Sequence, residues 1–88
     1  MRSIRRTTRF KKDAKRLKKR GKDFGKLSEV IVLLLQDTPL PSRYRDHELT
    51  GNLKGIRDLH LEPDWLLLYE LTDEELVLVR TGSHSDLF

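Results

Sequence analysis

An α+β domain of order β-α-α-β-β-β is what this sequence predicts, and three observations predict it. Apolar residues recur at helical spacing between Phe10 and Leu35, a proline- and turn-rich stretch follows, and three strand-length apolar segments come after it. The links between those last segments, E-P-D and T-D-E-E, are too short for crossovers, so antiparallel neighbours are expected. The expected architecture is a small antiparallel-rich sheet with an N-terminal helical hairpin on one face, which leaves the other face free for work.

Each element has its own signal. Residues 2–8, R-S-I-R-R-T-T, have the content of a short first strand. Thr8 is the expected N-cap of the first helix, in which Phe10, Ala14 and Leu17 form a thin core stripe and Gly21 supplies the stop. The second helix starts near Phe24, carries Leu27, Val30, Ile31, Leu34 and Leu35 on one face, and ends before Pro39 and Pro41. From Pro39 to Asn52 a loop is expected, with a brief extended piece around Tyr44. Strands are expected from Gly55 to Leu61, Trp65 to Leu71 and Leu76 to Thr81. On the second of these Tyr69 reads as core, and Trp65 as either core or a neighbour of the site.

At 88 residues, all in one domain spanning 1–88, the chain can bury one modest core. It has no cysteine, which excludes disulfides and thiolate-bound metal and suits an intracellular protein. No secretory signal is expected, because Met1 to Arg20 is basic throughout. The apolar runs Val30 to Leu35 and Trp65 to Tyr69 are too short to cross a bilayer. The net charge of +4 hides an asymmetry: residues 1–26 hold 13 of the 18 Lys and Arg but only Asp13 and Asp23 as acids, a net +11 against −7 for the rest. Such a field points to a polyanionic partner for the first part of the chain.

The three histidines, His47, His60 and His84, all lie in the acidic part. Imidazole is the side chain best suited to moving protons near neutral pH. Strand alternation puts Leu59 and Leu61 on the helix-covered face and Asp58 and His60 on the open one. The same logic rests Val77 and Val79 on the helices and turns Arg80 outward, so a histidine, carboxylates and an arginine are expected to meet on one surface. Asp64, four residues after His60, is placed to orient an imidazole or to act as a base. A zinc site is not expected, because the histidine spacings of 13 and 24 contain no H-x-H or H-x-x-x-H pair. His84 and Phe88 stand in a tail segment of the kind that frays unless something docks it.

The run D-H-E-L-T-G-N-L-K-G-I-R-D-L-H-L-E-P-D-W-L-L-L-Y, followed by R-T-G-S-H-S-D-L-F, closely resembles the YafQ-type toxins of the RelE superfamily. The resemblance extends over essentially the whole chain and is specific, since D-H-x-L, R-D-x-H-x-E-P-D-W and G-x-H-x-x-L-F occur in order. It implies a RelE-like fold and an endoribonuclease that cleaves messenger RNA in the ribosomal A site without metal or other cofactor. Matching motifs put the catalytic positions at His47, His60, Asp64 and His84, with Asp58, Trp65 and Phe88 as supporting positions.

Such a reaction needs a base for the 2′-hydroxyl proton, an acid for the 5′-oxygen leaving group and positive charge on the phosphorane-like transition state. His84 is the expected acid and Asp64 or His60 the base, with His47 and Arg80 on the phosphate. Lys54 and Arg57 are further expected RNA contacts. The basic helix, through Arg9, Lys11, Lys12, Lys15, Arg16, Lys18, Lys19 and Arg20, is expected to meet ribosomal RNA and the acidic patches of an antitoxin. The expected partners are thus messenger RNA, the ribosome and a RelB- or DinJ-like antitoxin through which operator DNA is reached, all in a bacterial or archaeal cytoplasm and none in a membrane. The readings from other classes are a non-catalytic RNA-binding module and a DNA-binding co-repressor working with its antitoxin.

Overall fold

The computed structural model describes residues 2–53 and 55–88. In chain order the elements are β1 (Ser3–Arg6), α1 (Thr8–Lys19), α2 (Phe24–Leu35), β2 (His47–Glu48), β3 (Arg57–Glu62), β4 (Trp65–Leu71), β5 (Glu75–Gly82) and α3 (His84–Leu87), with 3-10 turns at Ser42–Tyr44 and Gly51–Leu53. The five strands form one sheet of order β1-β5-β4-β3-β2. All neighbours are antiparallel except β1 and β5, which run parallel, so the sheet is mixed.

Local chemistry sets the helix ends. The cap of α1 is Thr7 rather than Thr8: Thr7 is extended, and its hydroxyl accepts the Phe10 N–H at 3.0 Å. The backbone then turns left-handed at Gly21 (φ 84°), which releases the chain toward α2. Asp23 caps α2 by accepting the Gly25 N–H. The stretch around Tyr44 is a 3-10 turn and not an extended piece, and His47 belongs to a two-residue edge strand and not to a loop.

Both helices cover the same face of the sheet. Phe10 and Leu17 from α1, and Leu27, Val30 and Leu34 from α2, pack on Leu59, Leu61, Trp65, Leu67, Tyr69, Leu76 and Leu78. Each such fully buried aliphatic side chain contributes about 1.5–3 kcal/mol. The inward residues of β5 are therefore Leu76 and Leu78, and the expectation that Val77 and Val79 rest on the helices is overturned. Strict alternation from Leu78 would bury Arg80. A β-bulge prevents this: Tyr69 pairs with Leu78 but Leu68 pairs with Arg80, so Val79 is the extra residue and Thr81 returns to the inner face opposite Leu67. Arg80 thus reaches the outer face, by a route that alternation did not contain.

Candidate active site

Register lays two rows of residues across the face away from the helices. His47, Asp58, Leu68 and Arg80 are successive cross-strand partners on β2 to β5, and His60, Leu66 and Gly82 form the next row. Two of the histidines are thus one row apart on neighbouring strands. The third arrives from the tail.

After Gly82 the chain folds back on itself. A Cβ at residue 82 would stand 2.8 Å from the Asp86 Cβ, so only glycine permits this approach. Ser83 and Asp86 form a capping box around α3, and the Arg20 guanidinium donates to both Asp86 oxygens at 2.8 and 3.3 Å. These bonds, Arg20 first and then the Ser83 backbone N–H, hold the Asp86 carboxyl far below the usual carboxylate range. His84 opens α3, and its backbone N–H donates to Asp64 Oδ1 at 2.9 Å while its ring Nδ1 lies 2.6 Å from the same oxygen. The two bonds, the backbone one first, hold the Asp64 carboxyl below its ordinary value. Asp64 is therefore an ionised acceptor and His84 Nδ1 carries the proton, which leaves Nε2 uncommitted among the described residues.

The His60 ring stands 5.5 Å, centroid to centroid, from the His84 ring. His47 donates Nδ1–H to the Arg45 carbonyl at 2.8 Å, and its Nε2 lies 3.7 Å from Asp58 Oδ2, turned toward that buried carboxylate. Asp58 is 5% exposed, and its Oδ1, like His60 Nδ1, is buried with no hydrogen-bond partner among the described residues. Burial pushes the Asp58 carboxyl above its ordinary value, against the opposing pull of His60, His47 and His84. Three imidazoles thus share the field of one buried carboxylate.

The other expected site residues divide. Phe88 is 64% exposed, so its ring is available at the surface and plugs no gap in the core. Asp58 shares the histidine face as expected but is buried, so it acts beneath the surface. Trp65 is fully buried on the inner face, packed on Phe24, and its indole N–H donates to the Thr81 hydroxyl, which rules out stacking on RNA. Arg57 is held by Asp46 through two bonds of 3.2 Å, and Tyr69 donates to the same carboxylate, so Arg57 is committed within the protein. Arg80 shares the face, but its Nε and one Nη2 N–H are bound to Asp13 on α1, leaving Nη1 and the second Nη2 N–H as its remaining donors. Lys54 lies outside the described residues. Of the basic helix, Arg16 is paired with Asp13, and Arg20, which stands just beyond α1, with Asp86; Arg9, Lys11, Lys12, Lys15, Lys18 and Lys19 hold no carboxylate among the described residues.

Sequence reasoning missed Asp13, Arg45 and the Ser83–Asp86 box. The last had a signal, since S-H-S-D fits the S-x-x-D capping pattern. Asp13 had a fainter one, as the sole acid inside a basic helix. Arg45 acts through its carbonyl, which no side-chain pattern reveals.

A family model described as the bacterial toxin of type II toxin–antitoxin systems, YafQ, matches residues 2–88. The mRNA interferase toxin YafQ of Escherichia coli strain K12 is 51% identical over 80 residues, covering 90% of this chain and 87% of that protein. The fold matches the crystal structure of the E. coli DinJ–YafQ complex with a TM-score of 0.92 and 47% identity over 100% of this chain and 99% of that one. It likewise matches a metal-bound toxin from Helicobacter pylori at 0.93 and 44%, over the full length of both. The match along the sequence and the match in the fold have one meaning: the chain belongs to the YafQ family of bacterial type II toxins.

Proposed function

We propose that this toxin is an mRNA interferase that cuts messenger RNA by attack of the 2′-hydroxyl on the adjoining phosphate, and that a DinJ-like antitoxin holds it inactive. The observation that carries the reading is His84, tied twice to an ionised Asp64 with Nε2 uncommitted among the described residues and a second imidazole 5.5 Å away. Two imidazoles at that separation can straddle a phosphate. One takes the 2′-hydroxyl proton, the 2′-oxygen bonds to phosphorus, the bond to the 5′-oxygen breaks, and the other imidazole protonates that oxygen. The products are a 2′,3′-cyclic phosphate and a 5′-hydroxyl end.

In this scheme His84 is the acid. His60 is the base rather than Asp64, whose oxygen is occupied by His84 and whose proton affinity is lowered. His47 and Arg80 face the phosphate oxygens, and Phe88 stacks on a neighbouring base. The unpaired cations of α1 bind ribosomal RNA, which places the cut on translated messages in the cytoplasm. The route as written uses no metal.

The test is a translation reaction on a defined message, with 5′ ends mapped for the wild type and for His84→Ala. Discrete cuts that persist in a chelator selective for transition metals, which leaves the magnesium of the ribosome in place, and that fall about 100- to 10,000-fold in the variant are the expected result. Undiminished cutting by a folded His84→Ala protein would remove the tail histidine from the mechanism, and loss of wild-type cutting in that chelator would remove the metal-free route.

A further inference from the structure

Beyond residue 26 the chain is acidic, and its five basic side chains are Arg43, Arg45, Lys54, Arg57 and Arg80. Asp46 neutralises Arg57 and Asp13 neutralises Arg80. Arg43 and Arg45 form no ion pair with any described residue, and Glu29 on α2 acts on Arg43 only through its longer-range field. Both arginines flank Tyr44, at the turn that leads into β2.

That turn forms one wall of a cleft of ≈ 500 Å³, and His60, Glu62 and Pro63 form the opposite wall. Glu62 brings no uncompensated charge, since Lys22 and Lys26 both bond to it at 2.9 and 2.7 Å. The Arg43 guanidinium lies 4.8 Å over the ring of buried Tyr44 and donates to its hydroxyl, so the cation is held in place in a residue that remains exposed. Arg45 adopts the left-handed conformation (φ 50°, ψ 41°), which an arginine takes at a cost. That conformation accompanies the carbonyl placement that receives the His47 Nδ1–H. The same residue that holds His47 thus also lines the cleft beside His60.

We propose that this cleft is a substrate subsite in which Arg43 and Arg45 bind the phosphate of a message nucleotide flanking the scissile one. The inference rests on the RNA-cleaving reading above and adds a binding site to it. Fixed cations beside the proton-transfer groups set the register of the strand, so that the 2′-hydroxyl to be activated is the one that reaches the imidazoles.

The experiment uses Arg43→Gln, Arg45→Asn and the double variant. Gln keeps a donor for Tyr44 and Asn tolerates the left-handed region, and thermal unfolding checks each fold. In the His84→Ala background, binding of a single-stranded oligoribonucleotide is titrated against salt. Each lost phosphate contact should lower the slope of log K against log salt by about 0.7. In the active background the double variant should raise KM for message about tenfold with kcat held within about twofold, and Arg43→Lys with Arg45→Lys should recover most of the loss. Unchanged slope and KM in folded variants, with the wild type still cutting, would overturn the subsite and leave the cleavage reading standing. A slope change confined to purified ribosomes would assign the arginines to ribosomal RNA and also overturn it. A wild type that cuts no message would overturn the cleavage reading, and the substrate subsite with it.

Discussion

Two aspartates of this molecule are almost fully buried, and they are treated in opposite ways. Asp13, on α1, is 2% exposed and accepts bonds from Arg80 twice, from Arg16 and from the Thr81 backbone N–H. Burial works to raise its proton affinity, and the Arg80 and Thr81 bonds overcome it, so the carboxyl sits below its ordinary value. Asp58, on β3, is 5% exposed, has an oxygen with no partner, and sits above its ordinary value. A satisfied buried charge belongs to the scaffold, whereas an unsatisfied one beside three imidazoles is what a site that uses its field would require.

The largest expected effect comes from breaking the satisfied member. Asp13→Ala strands the Arg80 guanidinium and unties α1 from β5, and should cost about 3 kcal/mol. For a domain of this size that lowers the thermal midpoint by roughly 12–24 °C, read by calorimetry. A loss below about 1 kcal/mol would show that the network is decoration.

Asp58→Asn should do the reverse. Removal of an under-bonded buried charge is expected to raise stability at pH 7 by about 1 kcal/mol while cleavage falls. The pH dependence gives the sign independently. Because the folded carboxyl binds its proton more tightly than the unfolded one, the wild type loses stability as pH rises from about 3.9 through the higher folded value. Asp13 has the opposite sign: its contribution is present above the unfolded value and is lost as pH falls through the lower folded one. Denaturant midpoints of the two variants against pH should therefore diverge from the wild type in opposite directions. Parallel curves would erase the distinction.

The smallest expected effect on stability is deletion of Phe88. Its exposed ring supports no core contact, so the unfolding midpoint should stay within about 0.5 kcal/mol. Cleavage should fall roughly tenfold if the ring stacks on a base. A sharp fall in the midpoint would reassign the ring to the fold.

The fold was more legible in the sequence than this contrast. The α-helical stripes, the order of the main elements, and the placement of Asp58 and His60 on one face followed from spacing alone, whereas the two-residue β2 and the four-residue α3 were not foreseen. What spacing could not show was parity on β5, because one bulged residue at Val79 exchanges the faces of everything after it. The depth of Asp58 was also hidden, since alternation assigns a side and not an exposure. The ties between distant segments, Asp13 to Arg80 and Arg20 to Asp86, depend on the packed arrangement of α1 against β5. Trp65 was ambiguous for a plain reason: it starts a strand beside the site, and only its bond to Thr81 shows which way it points.

The parallel pairing of β1 with β5 has a consequence in time. The helices and the β3–β4 hairpin are built from near neighbours in the chain, whereas the bond from Thr7 to Val79 closes a separation of 72 residues. Closures of this kind cost entropy before the contacts they bring repay it, so they are expected to form late in folding. The anchor of His84 likewise depends on ties between distant segments, to Arg20 at the end of α1 through Asp86 and to the β3–β4 turn through Asp64. A chain caught partway through folding would thus expose its cationic helix before the acid proposed above was anchored, and on that proposal it would cling to RNA before it could cut it.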